Sequence, residues 1–386
     1  MTISSPNPPN YLDKHLTSLD GFRGFLAVWV YLGHLATAVG FSNYFLNMHA
    51  LAVDVFMVLS GFLMVYTWKK SLEDTKILDA QTVQSFYLMR FFRIAPLYYL
   101  LLLVSYLVLP QLGQMHDDIR NTFPPIWAQG LSEYASKIGW NFDTWRWLYL
   151  HASFAFGLVP GMEASTPLPD WSLSVEMQFY LILPVLLLSL TRLPLLTLPS
   201  IAALLAILSP DLFGAYLIPG SWAHFGQPSV LSYRLNAFVA GMLLAVWMRK
   251  REGGKCPTRT SVLMMIGIGL CLVPLSKPVI LIYFLFVALV LKKIPPMTSL
   301  LSYQPFKLIG DISYSIYLSH TLVVIPVVYC LIQYPVVIDL SPQQRFGTAV
   351  VATAPVVFVF SYVLYRVVEY PGIRLGKVLG SKLTAS

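Results

Sequence analysis

The chain has 386 residues, of which 56% are hydrophobic and only 11% are charged. Soluble domains carry about 25% charged residues, so this composition excludes a soluble protein. The formal net charge of +8 is typical of a membrane protein that carries Lys and Arg on its cytoplasmic side, and we do not expect nucleic-acid binding. The three cysteines are odd in number and widely spaced, which favours neither a disulfide framework nor a metal knuckle.

Apolar segments that are long enough to cross a bilayer recur along the chain. A membrane-spanning helix needs about 20 mostly apolar residues, and ten segments fit, although the seventh and eighth are short. They lie near residues 22–40, 50–68, 91–110, 172–190, 196–213, 231–248, 261–275, 279–291, 311–333 and 347–366. An eleventh, near 147–160, is too short to count, and we predict that it is re-entrant or interfacial. The sequence thus predicts an all-α, polytopic membrane helix bundle of about ten transmembrane helices.

The basic residues between these spans predict the orientation of the bundle. If the N-terminus is cytoplasmic, most Lys and Arg residues fall on the inner side, among them those of the stretch RKREGGKCPTR. Cytoplasmic loops are enriched in these residues, so we expect both termini to be cytoplasmic. We interpret residues 1–386 as one integral-membrane domain of the cell membrane (plasma or inner membrane), with flexible cytoplasmic tails at 1–17 and 376–386.

The first span carries two basic residues, Arg23 and His34, in the run SLDGFRGFLAVWVYLGHLA. Eleven positions are about 20° more than three helical turns, so both side chains lie on one face, about 16 Å apart. The orientation places Arg23 at the cytoplasmic mouth and His34 in the outer half. Ionisable residues inside membranes usually face a cavity, a pathway or a partner. The structural alternatives are an Arg23 that snorkels to the headgroups and a His34 that hydrogen bonds between helices.

The second and third spans add a carboxylate and a pair of arginines. Asp54 begins the outer half of the second span, at a depth that could approach His34. A carboxylate there would fix the imidazole tautomer that a general base needs, whereas the alternative is a helix cap. Arg90 and Arg93 share a face at the cytoplasmic boundary of the third span. They suit a phosphate clamp, because arginine binds phosphate oxygens bidentately, or they are ordinary positive-inside flanks.

Further polar residues interrupt the fourth, sixth and ninth spans. Glu176 lies about one turn below the outer surface, after Trp171, and the cost of burying a carboxylate there favours a functional role. Arg234, near the outer end of the sixth span, is a candidate counter-charge for Glu176. In the ninth span Tyr317 and His320 lie on one face, and His320 is either a structural polar tie or a second base.

The longest outer segment, about 111–171, is rich in tryptophan and acidic residues, including Trp127 and Trp140. Aromatic faces and hydrogen-bonding acids suit sugar rings, and the structural alternative is an interfacial aromatic belt. Either interpretation places this segment at the outer surface of the bilayer.

Seven stretches of the chain resemble, in the right order, the acyltransferase-3 family of integral-membrane acyltransferases. Each stretch alone is a weak signal, whereas seven in order are specific. They are the Arg23–x10–His34 pair, DVFMVLSGFLM, RFFRIAPLYY, WSLSVEMQFYL, the Arg234–Phe238–Gly241 stretch, ISYSIYLSH and VEYPGIR. Some relatives carry a further hydrolase-like domain after the bundle, and the chain, which stops at Ser386, is expected to be the form without it.

The resemblance implies a membrane-bound O-acyltransferase. An acyl group, usually acetyl, would be taken from cytoplasmic acyl-CoA. It would be passed to a hydroxyl of an extracytoplasmic carbohydrate, such as a surface polysaccharide, a lipid-linked sugar or another glycoside. The partners would then be the acyl-CoA donor, the carbohydrate acceptor and the lipid bilayer, with no permanently bound cofactor and no metal.

The motifs and this resemblance together predict the site residues. Catalytic roles fall to His34, Asp54 and Glu176, donor binding to Arg23, Arg90 and Arg93, and acceptor binding to Trp171, Arg234, Tyr317 and His320. His34 would act as general base or as acyl carrier. The alternative from another class is a proton- or ion-coupled transporter or flippase, in which His34, Asp54, Glu176 and Arg234 form a relay.

Overall fold

A computed structural model of the protein describes residues 11–68, 79–123, 144–160, 162–215, 227, 229–254 and 256–385. Over these residues the chain is helical and contains no β-strand, which confirms the predicted all-α class. Trp127 and Trp140 of the aromatic outer segment lie outside the described residues, as do residues 1–10 of the predicted N-terminal tail.

Helices follow one another along the described parts of the chain with short connections. The α-helices are α1 (Tyr11–Ala38), α2 (Tyr44–Asn47), α3 (Ala50–Tyr66), α4 (Ala80–Thr122), α5 (Thr144–Ala152), α6 (Trp171–Arg192), α7 (Thr197–Ala215), α8 (Leu235–Glu252), α9 (Thr258–Leu272), α10 (Lys277–Val290), α11 (Pro295–Leu301), α12 (Gln304–Asp311), α13 (Ser313–Ile332), α14 (Pro335–Ile338), α15 (Pro342–Leu364) and α16 (Tyr370–Ala385). Each of the ten predicted spans overlaps one of these helices, although the bounds differ.

Several of these helices are long and apolar enough to cross a membrane. Within the described residues there are four by length and composition, namely α4, α6, α13 and the helix Pro342–Leu383 that joins α15 to α16. The pair α10 and α11, bent by 87°, makes a fifth if it counts as one span, and α3, α9 and part of α7 are apolar but shorter. The helices therefore indicate a membrane protein, while the count of about ten spans and the cytoplasmic termini remain predictions.

The predicted re-entrant or interfacial segment near 147–160 forms short helical pieces. Helix α5 ends at Ala152, and 3₁₀ helices follow at Ala155–Leu158 and Met162–Ala164. Pieces this short cannot cross a bilayer. The segment is held by α4, because the Tyr99 hydroxyl donates a hydrogen bond to the Ala152 carbonyl oxygen (2.6 Å). Whether it is re-entrant or interfacial remains a prediction.

Helices α3 and α8 pack closely through two glycines. A Cβ atom on Gly61 would overlap the carbonyl oxygen of Phe238, and a Cβ atom on Gly241 would overlap that of Val58. Small residues at such crossings let two helix backbones come into direct contact. The glycines therefore set the distance between α3 and α8 in the centre of the bundle.

The predicted flexible tail at 376–386 differs from the structure. Helix α15 continues through a π-helical turn, Tyr365–Glu369, into α16, which is helical as far as Ala385. Gly376 and Gly380 face α4 so closely that an added Cβ atom would meet Phe92 at 2.8 Å and Ser85 at 2.7 Å. This part of the predicted tail is helical because its glycines pack directly against α4.

Candidate active site

A cavity of about 140 Å³ lies between six helices. Arg23 of α1, Arg90 and Arg93 of α4, and Glu176 of α6 line it together with Tyr317 of α13. Five of the predicted site residues are thus brought together from four helices that are distant in sequence. Helices α3 and α8 complete the wall, mainly with apolar side chains: Val53, Phe56, Met57, Leu59, Leu63, Met64 and Phe238.

The cavity is elongated along α3. Its lining on this helix runs from Val53 to Met64, and eleven residues of α-helix rise about 16 Å. The Arg90 guanidinium lies over the Tyr180 ring at one end of the cavity lining on α6 (5.8 Å). At the other end of that lining, the Ser172 and Tyr317 hydroxyls share a hydrogen bond of 2.8 Å. The cavity therefore has an arginine end and a hydroxyl end.

Each arginine of the arginine end is held in a different way. Arg93 forms an ion pair with Glu369 (2.5 Å), whose other oxygen accepts a hydrogen bond from the Ser315 hydroxyl (2.6 Å). Arg23 lies 3.7 Å from Asp20 on its own helix. The buried Nε of Arg90 has no hydrogen-bond partner among the described residues. Arginine is suited to phosphate and carboxylate recognition, so this end of the cavity favours an anionic group.

Glu176 is the one acidic side chain that lines the described cavity. Its Oε1 accepts hydrogen bonds from the Ser60 hydroxyl (3.3 Å) and from the Tyr180 hydroxyl. We predicted Arg234 as its counter-charge, and this is wrong. The Arg234 Nε lies 3.0 Å from Oδ1 of Asp54 and forms an ion pair with it.

His34 lies in a cluster of three histidines. Its Nδ1 is 2.7 Å from Nε2 of His320, and the two rings are nearly parallel, edge to edge, with their centroids 5.0 Å apart. The ring of His49 meets that of His34 edge-on at 4.7 Å. Among the described residues no carboxylate pairs with this cluster, and Asp54 pairs with Arg234 instead, so the predicted partnership of His34 with Asp54 is wrong. The register between α1 and α3 places His49 rather than Asp54 beside His34.

The cluster and the cavity lie next to each other without overlapping. His34, His320, Asp54 and Arg234 are not among the residues that line the cavity, and neither is Trp171. The cavity nevertheless reaches Val53, which is one helical turn from His49, and Tyr317, which is one turn from His320. Among the described residues, no group of three or more His, Cys, Asp or Glu side chains could hold a metal ion.

Two residues next to the site, His49 and Glu369, are not among the predicted site residues. His49 lies one residue before the predicted second span, where a polar residue looks like part of a loop. The contact of His49 with α1 leaves a trace in the sequence, namely the glycine at position 33. A Cβ atom at Gly33 would overlap the His49 ring. Glu369 belongs to the stretch VEYPGIR, but it reaches Arg93 from a π-helical turn. Such turns are frequent at functional sites, yet the sequence pattern does not reveal them.

A second polar network is buried between α4 and α6. Two of its members, His151 and Asp170, lie outside the ten predicted spans. The Tyr98 hydroxyl is 2.8 Å from Nδ1 of His151 and 3.4 Å from Oδ2 of Asp170, and Nε2 of His151 is 2.9 Å from the Ser165 hydroxyl. Burial raises the pKa of the Asp170 carboxyl to about 8 and lowers the pKa of His151 to about 3. Both groups are therefore neutral at pH 7, and the network is built from hydrogen bonds rather than from charge.

Comparison with known proteins supports an acyltransferase. One relative is the peptidoglycan O-acetyltransferase OatA of Listeria monocytogenes serovar 1/2a, which is 24% identical over 94% of this chain and 56% of the relative. Another is the putative peptidoglycan O-acetyltransferase YrhL of Bacillus subtilis strain 168, which is 25% identical over 93% of this chain and 55% of the relative. The chain thus spans about half the length of these curated relatives. No solved structure matches it. The family described as the acyltransferase domain matches residues 16–366, which confirms the resemblance seen in the motifs. The chain therefore belongs to the acyltransferase-3 family.

Proposed function

We propose that the protein is a multi-pass O-acyltransferase of the cell membrane. It transfers an acyl group, acetyl in the first instance, from cytoplasmic acyl-CoA to a hydroxyl of an extracytoplasmic carbohydrate. The observation that carries the proposal is the cavity, which leads from three arginines to within one helical turn of the histidine cluster. Recognition of an anionic donor and the chemistry of transfer are thereby connected inside the bundle.

The donor binds with its phosphates at the arginine end. Arg23, Arg90 and Arg93 offer guanidinium groups there, and Arg90 has an unused buried donor. Behind them the wall on α3 is apolar, which suits an extended, largely uncharged arm. The arm of acyl-CoA is long enough to follow the cavity and bring its thioester to the hydroxyl end.

At the hydroxyl end, His34 acts on the acceptor as general base. Its Nε2 takes the proton of the acceptor hydroxyl while the hydroxyl oxygen attacks the thioester carbonyl carbon. A C–O bond forms and the C–S bond breaks, and the proton passes from His34 to the leaving thiolate. The products are an O-acylated carbohydrate and free CoA thiol. In the alternative route Nε2 itself attacks, and an acyl-histidine intermediate passes the acyl group to the acceptor.

The names of the relatives indicate the class of acceptor. Both are named peptidoglycan O-acetyltransferases, one of them putatively. We therefore infer that peptidoglycan or another glycan of the cell envelope is the acceptor. The pairing of Tyr317 with Ser172 leaves two hydroxyl groups at the end of the cavity where a sugar hydroxyl would arrive.

A transporter that uses His34, Asp54, Glu176 and Arg234 as one relay has less support. Asp54 pairs with Arg234, Glu176 with Ser60 and Tyr180, and His34 with His320. These are three separate groups within the described residues, and no hydrogen bond links one group to the next. A relay would need a connected path between them.

The experiment is transfer of labelled acetyl from acetyl-CoA by the purified protein, with and without peptidoglycan fragments, and with His34→Ala as the variant. We expect alkali-labile label on the glycan, and a loss of about a hundredfold or more in kcat for the variant. Transfer at the wild-type rate by the variant would remove His34 from the chemistry. An absence of thioester cleavage, with acetyl-CoA and every glycan tested, would refute the enzyme.

A further inference from the structure

We propose that His320 is a positioning residue that fixes the tautomer and ring orientation of His34. This inference rests on the proposed function, in which Nε2 of His34 is the reacting atom. The proposed function does not say what keeps this nitrogen unprotonated before each turnover, and we assign that role to His320. The juxtaposition that carries it is the hydrogen bond between Nδ1 of His34 and Nε2 of His320, at 2.7 Å.

The direction of this hydrogen bond follows from the other side of the His320 ring. Nδ1 of His320 lies 3.0 Å from the backbone carbonyl oxygen of Ile316. A carbonyl oxygen only accepts, so Nδ1 of His320 carries the proton. In a neutral imidazole the second nitrogen is then an acceptor. Nε2 of His320 must therefore accept from His34.

The proton between the two rings consequently resides on Nδ1 of His34. In the neutral His34 ring, Nε2 is left with a free lone pair. His34 is partly exposed, whereas His320 is completely buried. The nitrogen that can reach a substrate is thus the one that can accept a proton. Both the general-base route and the acyl-histidine route need this lone pair.

His320 itself has no polar atom left for a substrate. Both of its ring nitrogens are used, and its relative exposure is 0%. The Tyr31 ring lies beside it at a steep angle, with the two ring centroids 6.2 Å apart. His320 can therefore act only through His34, which distinguishes it from a residue that binds the acceptor.

The bond also supports the charged state of His34 during turnover. When Nε2 takes a proton, the positive ring still donates from Nδ1 to His320, and a charge-assisted hydrogen bond is stronger than a neutral one. The backbone carbonyl of Ile316 holds the His320 ring in the accepting tautomer throughout. No proton needs to leave His320 at any step.

The test compares His320→Gln with His320→Leu in the acetyl-transfer assay. Glutamine keeps an amide oxygen that can accept from Nδ1 of His34, while leucine has no acceptor. We expect kcat of the leucine variant to fall at least tenfold, with KM for acetyl-CoA and for the glycan unchanged. The glutamine variant should recover most of that loss, because it restores the hydrogen bond and not the imidazole.

His151→Leu is the matched control. His151 is also completely buried and also uses both ring nitrogens, but it lies outside the histidine cluster. We expect this variant to lose thermal stability and to keep kcat once folded. A tenfold fall of kcat in the control would show that loss of any buried histidine has this effect, and would overturn the assignment to His320.

The ¹⁵N spectrum of labelled histidine in the wild-type protein tests the tautomer without relying on a variant that folds. We expect an unprotonated Nε2 and a protonated Nδ1 for His34, assigned by the signals lost in His34→Gln. A protonated Nε2 in the resting protein would refute the proposal. If His34→Ala is inactive but His320→Leu keeps full kcat, the positioning role fails while the proposed function stands. If His34→Ala is fully active, the proposed base itself fails.

Discussion

A single side chain, Glu369, holds Arg93 in its position at the cavity. It is almost fully buried, and each of its oxygens has a partner, Arg93 on one side and Ser315 on the other. Breaking a buried ion pair leaves an uncompensated charge. The position of Arg93 in the cavity therefore depends on a residue that does not line the cavity itself.

We expect Glu369→Gln to raise KM for acetyl-CoA about five- to tenfold while kcat changes less than twofold. The amide keeps the bond to Ser315 but no longer anchors the Arg93 guanidinium by charge. Steady-state kinetics with acetyl-CoA as the varied substrate measures the effect. Ser315→Ala is the control, because it leaves the ion pair in place and should change KM less. A lower KM for Glu369→Gln would show that net positive charge, rather than the placement of Arg93, governs donor binding.

The Asp54–Arg234 pair predicts a characteristic pattern of stability. Asp54→Leu and Arg234→Leu each leave one charge without its partner, in a pair whose side chains are 7% and 25% exposed. The expected cost is about 2–4 kcal/mol for each, because the exposed part of Arg234 softens the penalty. The double variant removes both charges and should have a higher Tm than the less stable of the two single variants. Strictly additive losses in Tm would mean that the two residues act independently.

At the scale of helices, the geometry within one helix can be predicted from the sequence, whereas the contacts between helices that are distant along the chain cannot. The shared face of Arg23 and His34 follows from helical periodicity, because both residues lie on one helix. The partners of Asp54 and His34 depend on how α1, α3, α8 and α13 are rotated and shifted against each other. That register is decided by packing contacts such as those of Gly61 and Gly241, and one sequence does not reveal it. Five of the predicted residues therefore line one cavity, whereas the partners predicted for His34 and Glu176 are wrong.

Gly61→Ala is expected to force α3 and α8 apart. The new methyl group would overlap the Phe238 carbonyl oxygen, and overpacking of this kind costs about 1–3 kcal/mol or more. Phe238 and Ser60 line the cavity, so transfer activity should fall together with Tm. Gly269→Ala is the control, because nothing lies within 4 Å of its added Cβ atom. Equal losses of Tm in the two variants would exclude close packing as the cause.

The buried polar network of Tyr98, His151 and Asp170 predicts that the stability of the protein depends on pH. Burial raises the pKa of Asp170 from 3.8 to about 8, so the folded protein holds a proton that the unfolded chain releases. This contribution is complete below pH 3.8 and is lost as the pH rises through about 8. Asp170→Asn should therefore flatten the fall in Tm between pH 6 and pH 9. Asp117→Asn, at an exposed carboxylate, is the control, and an unchanged fall in Asp170→Asn would assign the dependence to another group.

On the scale of the whole molecule, the orientation in the membrane can be tested with single cysteines. In a chain with Cys256, Cys271 and Cys330 replaced by serine, Tyr44→Cys lies before the second span and Thr258→Cys lies after the sixth. Both positions are exposed. With cytoplasmic termini, an impermeant maleimide should label Tyr44→Cys in intact cells and Thr258→Cys only after permeabilisation. The opposite labelling pattern would reverse the orientation and place the arginine end of the cavity outside.

The elongated cavity works as a ruler if the proposed function holds. Charge is recognised at one end and the acyl group is transferred at the other, about 16 Å away by the rise of α3. A donor with the right phosphates but a shorter arm would bind without placing its thioester beside His34. A donor with the right arm but no phosphates would react once it arrived but would bind weakly. Selection by length and selection by charge are thus independent properties, and each could be altered without the other.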